Sequence, residues 1–269
     1  MYYRIGYAAA MGEKDVLSAI DFAVAQGMNA VEINMNMPCF FPENYSKEAR
    51  NDIRLYRREN DVALTLHAPE DISLLQLHEE VREAGIKRLK EIIDFGCDIG
   101  ATRMTIHIGT SVYFTMTEGK SYLEELHYED FKRILKNSLI GLGDYCGDRM
   151  KLCVENSGRF PKVLVQEVLE ELVERENIYL TWDIGHSYTN LYGEVEFFQR
   201  HLHRVKTCHL HDVTQVSDHQ IIGTGKVDFT GHMAKMGKED MIYIIEVRPR
   251  EKAAVSFENL KKTLGYKNR

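Results

Sequence analysis

Eight times along the chain, a short β-rich apolar run gives way to a longer stretch with helical spacing. The runs are YRIGYA (3–8), AVEINM (30–35), ALTLHAP (63–69), RMTIHIG (103–109), KLCVENSG (151–158), YLTWDIGHS (179–187), VKTCHLHDV (205–213) and MIYIIEVRP (241–249). Near-continuous apolar strands separated by helices imply a parallel sheet covered on its faces. In EKDVLSAIDFAVAQG the apolar residues recur at helical spacing and a glycine closes the segment. HEEVREAGIKRLKEIIDFGCDIG, VLVQEVLEELVEREN, VEFFQRHLHRV and SFENLKKTLGY read the same way. Eight such units in 269 residues fit a closed (β/α)8 barrel, typically about 250 residues long. An open doubly wound sheet is the alternative. Its nucleotide-binding forms lose support because neither G-x-G-x-x-G after the first strand nor G-x-x-x-x-G-K-[ST] is present. No Pro- or Gly-rich linker interrupts the pattern, so residues 1–269 are expected to form one domain.

Charge and cysteine usage narrow the function classes. The formal net charge is −7, whereas nucleic-acid binding draws much of its affinity from basic groups on phosphates. The most basic stretch, KEARNDIRLYRREN (47–60), is interleaved with acids and reads as a solvated helix face. Nucleic acid is therefore an unlikely partner. Cys39, Cys97, Cys146, Cys153 and Cys208 are scattered and form no C-x-x-C. That argues against a disulfide framework or thiolate zinc site and for reduced, structural thiols. No apolar run approaches the 18 or so residues of a membrane span, and the first residues lack a signal-peptide pattern. A cytoplasmic protein acting on a small molecule is the expectation.

In a barrel of this kind the site lies at the C-terminal ends of the strands. There the third and fourth strands carry His67 and His107, and the fifth carries Glu155 and Asn156. The sixth gives Asp183 and His186, the seventh His209, His211 and Asp212, and the eighth Glu246 and Arg248. The loop after the seventh adds Asp218 and His219. Each has an ordinary explanation. Glu246 and Arg248 share a strand face and can pair. Asp183 can cap a helix, and His211 and Asp212 can bond to each other or to the loop. His127, His201, His203 and His232 fall on helical or loop stretches and are expected at the surface. The convergence of His, Asp and Glu from six strands is harder to explain that way. Imidazoles and carboxylates without thiolates suit Zn²⁺, Mn²⁺ or a similar ion, and clustered acids repel unless a cation sits among them.

The set LTLHAP, TIHIG, CVENSG, TWDIGHS, CHLHDV, DHQIIGTGKVDF and IIEVRP resembles the xylose-isomerase-like TIM-barrel superfamily over nearly the whole chain. That superfamily includes sugar isomerases and epimerases, inosose dehydratases and endonuclease IV. Its sugar phosphate isomerase/epimerase group is the most similar. The resemblance to its ketose epimerases implies one divalent metal on Glu155, Asp183, His209 and Glu246, with the two glutamates as acid and base. His186 then contacts substrate, and His211 stands where relatives often carry Lys or Asn. His67, His107 and Arg248 are expected at the substrate, the two histidines as alternative metal ligands.

The resemblance to endonuclease IV places His67, His107, Glu155, Asp183, His186, His209, His219 and Glu246 on eight of nine zinc-ligand positions. The ninth, an aspartate, is Ser217 here, with the acid displaced to Asp218. HAPEDISL also departs from the nuclease's H-x-S-Y-x-I-N-L. The resemblance thus implies a metal-dependent isomerase or epimerase of a sugar or sugar phosphate. Alternatives are zinc-dependent hydrolysis of abasic DNA and an inosose-type dehydration. The GTGKVDF turn could present N–H groups to an anionic substrate or be a plain Gly-mediated turn. The aromatics of PCFFPENY (38–45) could line the pocket, meet a second subunit in a homodimer, or cap the barrel.

Overall fold

The computed structural model describes residues 3–175, 177–189, 193–215, 217–237 and 239–265. In chain order its strands are β1 Arg4–Ala9, β2 Ala30–Asn34, β3 Ala63–His67, β4 Arg103–Ile106, β5 Tyr113–Met116, β6 Gly119–Tyr122, β7 Lys151–Glu155, β8 Ile178–Asp183, β9 Val205–Leu210 and β10 Ile242–Ile245. The helices are α1 Val16–Ala25, α2 Lys47–Glu59, α3 Glu79–Ile99, α4 Leu123–Leu126, α5 Tyr128–Cys146, α6 Val163–Leu172, α7 Ile184–Thr189, α8 Val195–Arg200, α9 Phe229–Met236 and α10 Arg250–Thr263. Eight strands close in the order β1-β10-β9-β8-β7-β4-β3-β2, and every neighbouring pair is parallel. This is the (β/α)8 TIM barrel expected from the eight repeated units.

Strand alternation sorts the side chains into two environments. Outward-facing Ile33, Leu66, Met104, Val154, Trp182, Leu210 and Tyr243 belong to one large core cluster with residues of the surrounding helices, such as Ile20, Leu89, Leu139 and Leu260. Only a small apolar group, Ala8, Ala30, Ile242 and Ile244, forms a separate cluster. The inward face is otherwise largely polar. Arg103 lies near the N-terminal end of the barrel, where its guanidinium donates to the Lys206 carbonyl and, at 3.1 Å, to Asp240 Oδ1. Thr65, Thr105, Thr181, Thr207 and Glu32, all 0% exposed, occupy the middle. The imidazoles and carboxylates of the strand ends lie above them.

Local chemistry fixes several element ends. Asp15 and Ser18 form a reciprocal capping box on α1. Ser46 caps α2 and Asp228 caps α9. Gly100 ends α3 in the left-handed conformation, φ 80°. The structure adds to the sequence reading at two places and corrects it at a third. The connection after β4 carries an antiparallel β5–β6 hairpin whose β5 residues are all exposed. Phe40 is fully buried in the core beneath the barrel helices rather than at a pocket, and Tyr45 packs on Phe95. His201 is buried and His232 packs edge-on against Trp182, so neither is a surface group. His127 and His203 are exposed.

Candidate metal centre

The ends of four consecutive barrel strands bring Glu155, Asp183, His209 and Glu246 together. Each offers one ligand atom, all such atoms lie within 4.8 Å of one another, and all four residues are buried. His209 Nδ1 is 3.0 Å from Glu246 Oε2 and 3.5 Å from Glu155 Oε1. The ring is nevertheless turned so that neither of its buried nitrogens makes a well-formed hydrogen bond. Burial disfavours charge on Glu155 and Glu246, but His209 outweighs it and both carboxyls lie well below the usual range. Burial likewise opposes charge on His209, while Glu32, Glu155 and Glu246 raise its pKa far above that of a free imidazole. Buried carboxylates with no lysine inside the cluster demand positive charge, and an unsatisfied imidazole nitrogen points among them. This donor set fits a divalent cation such as Zn²⁺ or Mn²⁺.

Glu155 is shared with a second cluster. Its Oε2 is 3.1 Å from His107 Nε2 and 3.4 Å from His67 Nε2, while Oε1 faces His209 and His186. His67, His107 and Glu155 form a group that could take one ion. His186, His211 and His219 form a third. There His211 is already committed. Its Nδ1 accepts from the His219 backbone N–H at 2.9 Å, and its Nε2 lies 3.0 Å from the Asp183 carboxylate as a donor. A neutral ring so placed has no lone pair left for a metal. Asp218 joins none of these groups among the described residues, so the acid displaced from position 217 is not brought to the site.

Neighbouring groups lock the strand ends. Asn156 Nδ2 donates to the Asp183 carbonyl at 2.8 Å, and Asn156 Oδ1 accepts from the Asp183 N–H at 2.7 Å. Asp183 Oδ1 also accepts the His186 N–H at 2.9 Å, capping α7 as its sequence position suggests. Arg248 donates to Glu246 Oε1 at 2.9 Å. Asp212 decides the character of the GTGKVDF turn. Its carboxylate accepts N–H groups from Val213, Gly223, Gly225 and Val227 at 2.8–3.2 Å. A Cβ on Gly225 would lie 2.4 Å from Asp212 Oδ1, so glycine is required for this close approach. The turn's donors are satisfied internally, which favours the plain Gly-mediated turn over a site for an anionic substrate.

A family model described as xylose isomerase-like TIM barrel matches residues 20–263. The chain belongs to that family. No curated protein sequence matches it. Among solved structures, a D-tagatose 3-epimerase-like protein is similar at 21% identity and TM-score 0.76, covering 97% of each chain. The 3-keto-D-glucoside 4-epimerase YcjR from E. coli is 14% identical with TM-score 0.73, over 97% of this chain and 99% of its own. The IOLI protein, described with a binding zinc atom, is 14% identical with TM-score 0.73, over 99% and 100%. At these identities the likeness is one of fold. Within this xylose isomerase-like barrel, the sequence reading passed over Glu32 and named His211 without its partner Asp183. Glu32 stands under His209, and His211 stands against Asp183. A signal for Glu32 existed in AVEIN, where one charge interrupts an otherwise buried strand.

Proposed function

We propose that the chain is a divalent-metal-dependent isomerase or epimerase of an uncharged sugar, polyol or keto compound. The observation that carries this reading is the buried set Glu155, Asp183, His209 and Glu246, converging at the mouth of the barrel within 4.8 Å. An ion held by these residues would polarise a substrate carbonyl and acidify the neighbouring C–H. Glu155 and Glu246 would move that proton, one removing it and the other returning it on the opposite face. His186, partly exposed beside both Glu155 and Asp183, would orient a substrate hydroxyl. His67 and His107 would contact the substrate or hold a further ion through the second oxygen of Glu155.

The charge around the mouth favours a substrate without phosphate. Arg159 and Arg248, on the loops after β7 and β10, and Arg250, at the start of α10, are each paired with a carboxylate: Glu124, Glu246 and Glu13. Together with the satisfied GTGKVDF backbone, this leaves none of these three guanidiniums free for a dianion. The similarity in fold to sugar epimerases supports the same substrate class. Zinc-dependent cleavage of abasic DNA is the second reading, favoured by the His67–His107–Glu155 group alone.

The test is an NMR screen in D₂O of unphosphorylated ketoses, aldoses and cyclic polyols, looking for solvent deuterium entering carbon. Glu155→Gln and Glu246→Gln should each abolish turnover on the substrate found, with circular dichroism unchanged. Full activity in either variant would overturn the acid–base assignment. Cleavage of an abasic duplex, with two or three zinc ions per chain and no sugar turned over, would replace the proposal with the second reading.

A further inference from the structure

Glu32 lies in the interior of β2 and is 0% exposed. A buried carboxylate is costly unless it is paired and hydrogen-bonded. Its Oε2 accepts from Thr65 Oγ1 at 3.2 Å and from Thr105 Oγ1 at 3.3 Å. Its Oε1 has no aligned donor and lies 3.1 Å from His209 Nε2. Among the described residues, His209 is the only ionisable partner within salt-bridge distance of Glu32. The chain therefore maintains a buried acid whose second oxygen lies beside one ring nitrogen of one histidine.

That histidine has two dissimilar sides. Nε2 faces Glu32, and Nδ1 faces Glu155 and Glu246. In a neutral imidazole one nitrogen carries the proton and the other the lone pair. A carboxylate beside Nε2 favours the proton there, which puts the lone pair on Nδ1, toward the cluster of Glu155, Asp183 and Glu246. The threonines complete the arrangement. Thr65 and Thr105 stand two residues before His67 and His107 on the same inward faces, so one buried layer supports the layer above it.

We infer that Glu32 is a positioning residue of the metal centre, fixing the His209 tautomer and ring so that Nδ1 is presented as a ligand. The inference rests on the metal-centre reading above. An acid placed beside the far nitrogen of a ligating histidine orients the ring and raises its basicity. Its loss then appears in metal affinity, whereas a merely structural acid would affect folding alone.

The experiment compares wild type, Glu32→Gln and Glu32→Leu. Each is stripped of metal and titrated with Zn²⁺ against a chromophoric chelator, and each stripped protein is melted. Glu32→Gln keeps an acceptor but loses the charge, and should bind Zn²⁺ about 10–100-fold more weakly than wild type. Glu32→Leu should bind at least as weakly. The stripped Glu32→Gln protein should still show a cooperative melt, at or below the wild-type temperature because His209 loses a buried partner, so that a loss of affinity is read on a folded protein. Wild-type affinity in a folded Glu32→Gln, within about twofold, would overturn the inference while leaving the metal centre standing. A wild type that takes up no Zn²⁺ would overturn the metal-centre reading and the inference with it. Should Glu32→Leu fail to fold, Glu32→Gln decides alone.

Discussion

Gly185, buried on the first turn of α7, provides the sharpest mechanical test of the site. A Cβ at this position would lie 2.1 Å from His211 Cε1, 2.5 Å from Nδ1 and 2.6 Å from Nε2. Carbon atoms in contact prefer about 3.5–4.0 Å, so in Gly185→Ala the ring must retreat by roughly 1.4 Å or more. It has nowhere free to go. His219 stacks on its other side at 4.0 Å between centroids, its Nδ1 accepts the His219 N–H, and its Nε2 is bonded to Asp183. Overpacking a filled interior costs about 1–3 kcal/mol. Losing the neutral hydrogen bond costs about 1 kcal/mol, and the one to the Asp183 carboxylate about 1.5–3 kcal/mol. These terms overlap, and a net loss of about 3–4 kcal/mol is expected, which a domain of ordinary stability survives. Because Asp183 loses an outer partner, Zn²⁺ affinity should fall at least about tenfold as well. Urea denaturation measures the first effect and chelator competition the second. The decisive control is His211→Ala, which vacates the space. In that background Gly185→Ala should cost less than about 1 kcal/mol, a coupling that a double-mutant cycle reads directly. An equal cost in both backgrounds would refute the argument, because the clash would then not be with His211.

Two further expectations concern groups away from the mouth. At the N-terminal end of the barrel, burial raises the Asp240 carboxyl pKa, but Arg103, Lys206 and Lys151 outweigh it and hold it below its ordinary value. A group whose folded pKa is depressed contributes stability above its unfolded value and loses it as pH falls through the folded one. Asp240→Asn should therefore destabilise the protein at pH 7, by no more than about 1 kcal/mol because the Asp240 carboxylate is solvent-exposed, and should flatten the stability–pH curve below about pH 4; urea midpoints across pH 2–7 provide the check. Among the thiols, burial pushes Cys146 up to about 12 and Cys153 up to about 11. Burial raises Cys208 well above its ordinary value too, while Cys39 and Cys97 are only half-buried. Ellman's reagent at pH 8 should label no more than Cys39 and Cys97 in the folded protein and all five cysteines in urea.

The barrel was legible because its strands are short and buried on the outward face, so period and punctuation coincide. Each of the eight apolar runs overlaps an observed strand, with boundaries shifted by a few residues at most inside the barrel. The runs extend past the strands because HIG, NSG and HDV continue the chain into buried loop rather than solvent. The β5–β6 hairpin was not legible. Its residues YFTM are all exposed, so no alternation between core and solvent marks the strand, and the pairing is held by cross-strand contacts such as Tyr113 with Tyr122 and Lys120. Phe40 misled in the other direction. A proline-punctuated stretch resembles an exposed loop, yet the short helical turn of Pro38–Phe40 directs the ring inward.

At the site, the ring of strand-end residues could be listed from sequence because a closed parallel barrel puts all C-terminal ends in one place, whatever the loops do. What the list could not contain is depth. Glu32 is three residues into β2, in the layer below the mouth, and a search confined to strand ends passes over it. His211 illustrates the same limit in orientation. By type it belongs with His186 and His219, and the three lie close enough to share an ion. The backbone N–H of His219 and the carboxylate of Asp183 consume both of its nitrogens. Counting histidines therefore overstates the ligands, and counting strand ends understates the groups that aim them. Donor atoms are assigned by which lone pair remains after the neighbours are satisfied, and at His209, where neither nitrogen is satisfied, the proposed role of Glu32 would decide it, through an acid the strand-end pattern does not mark.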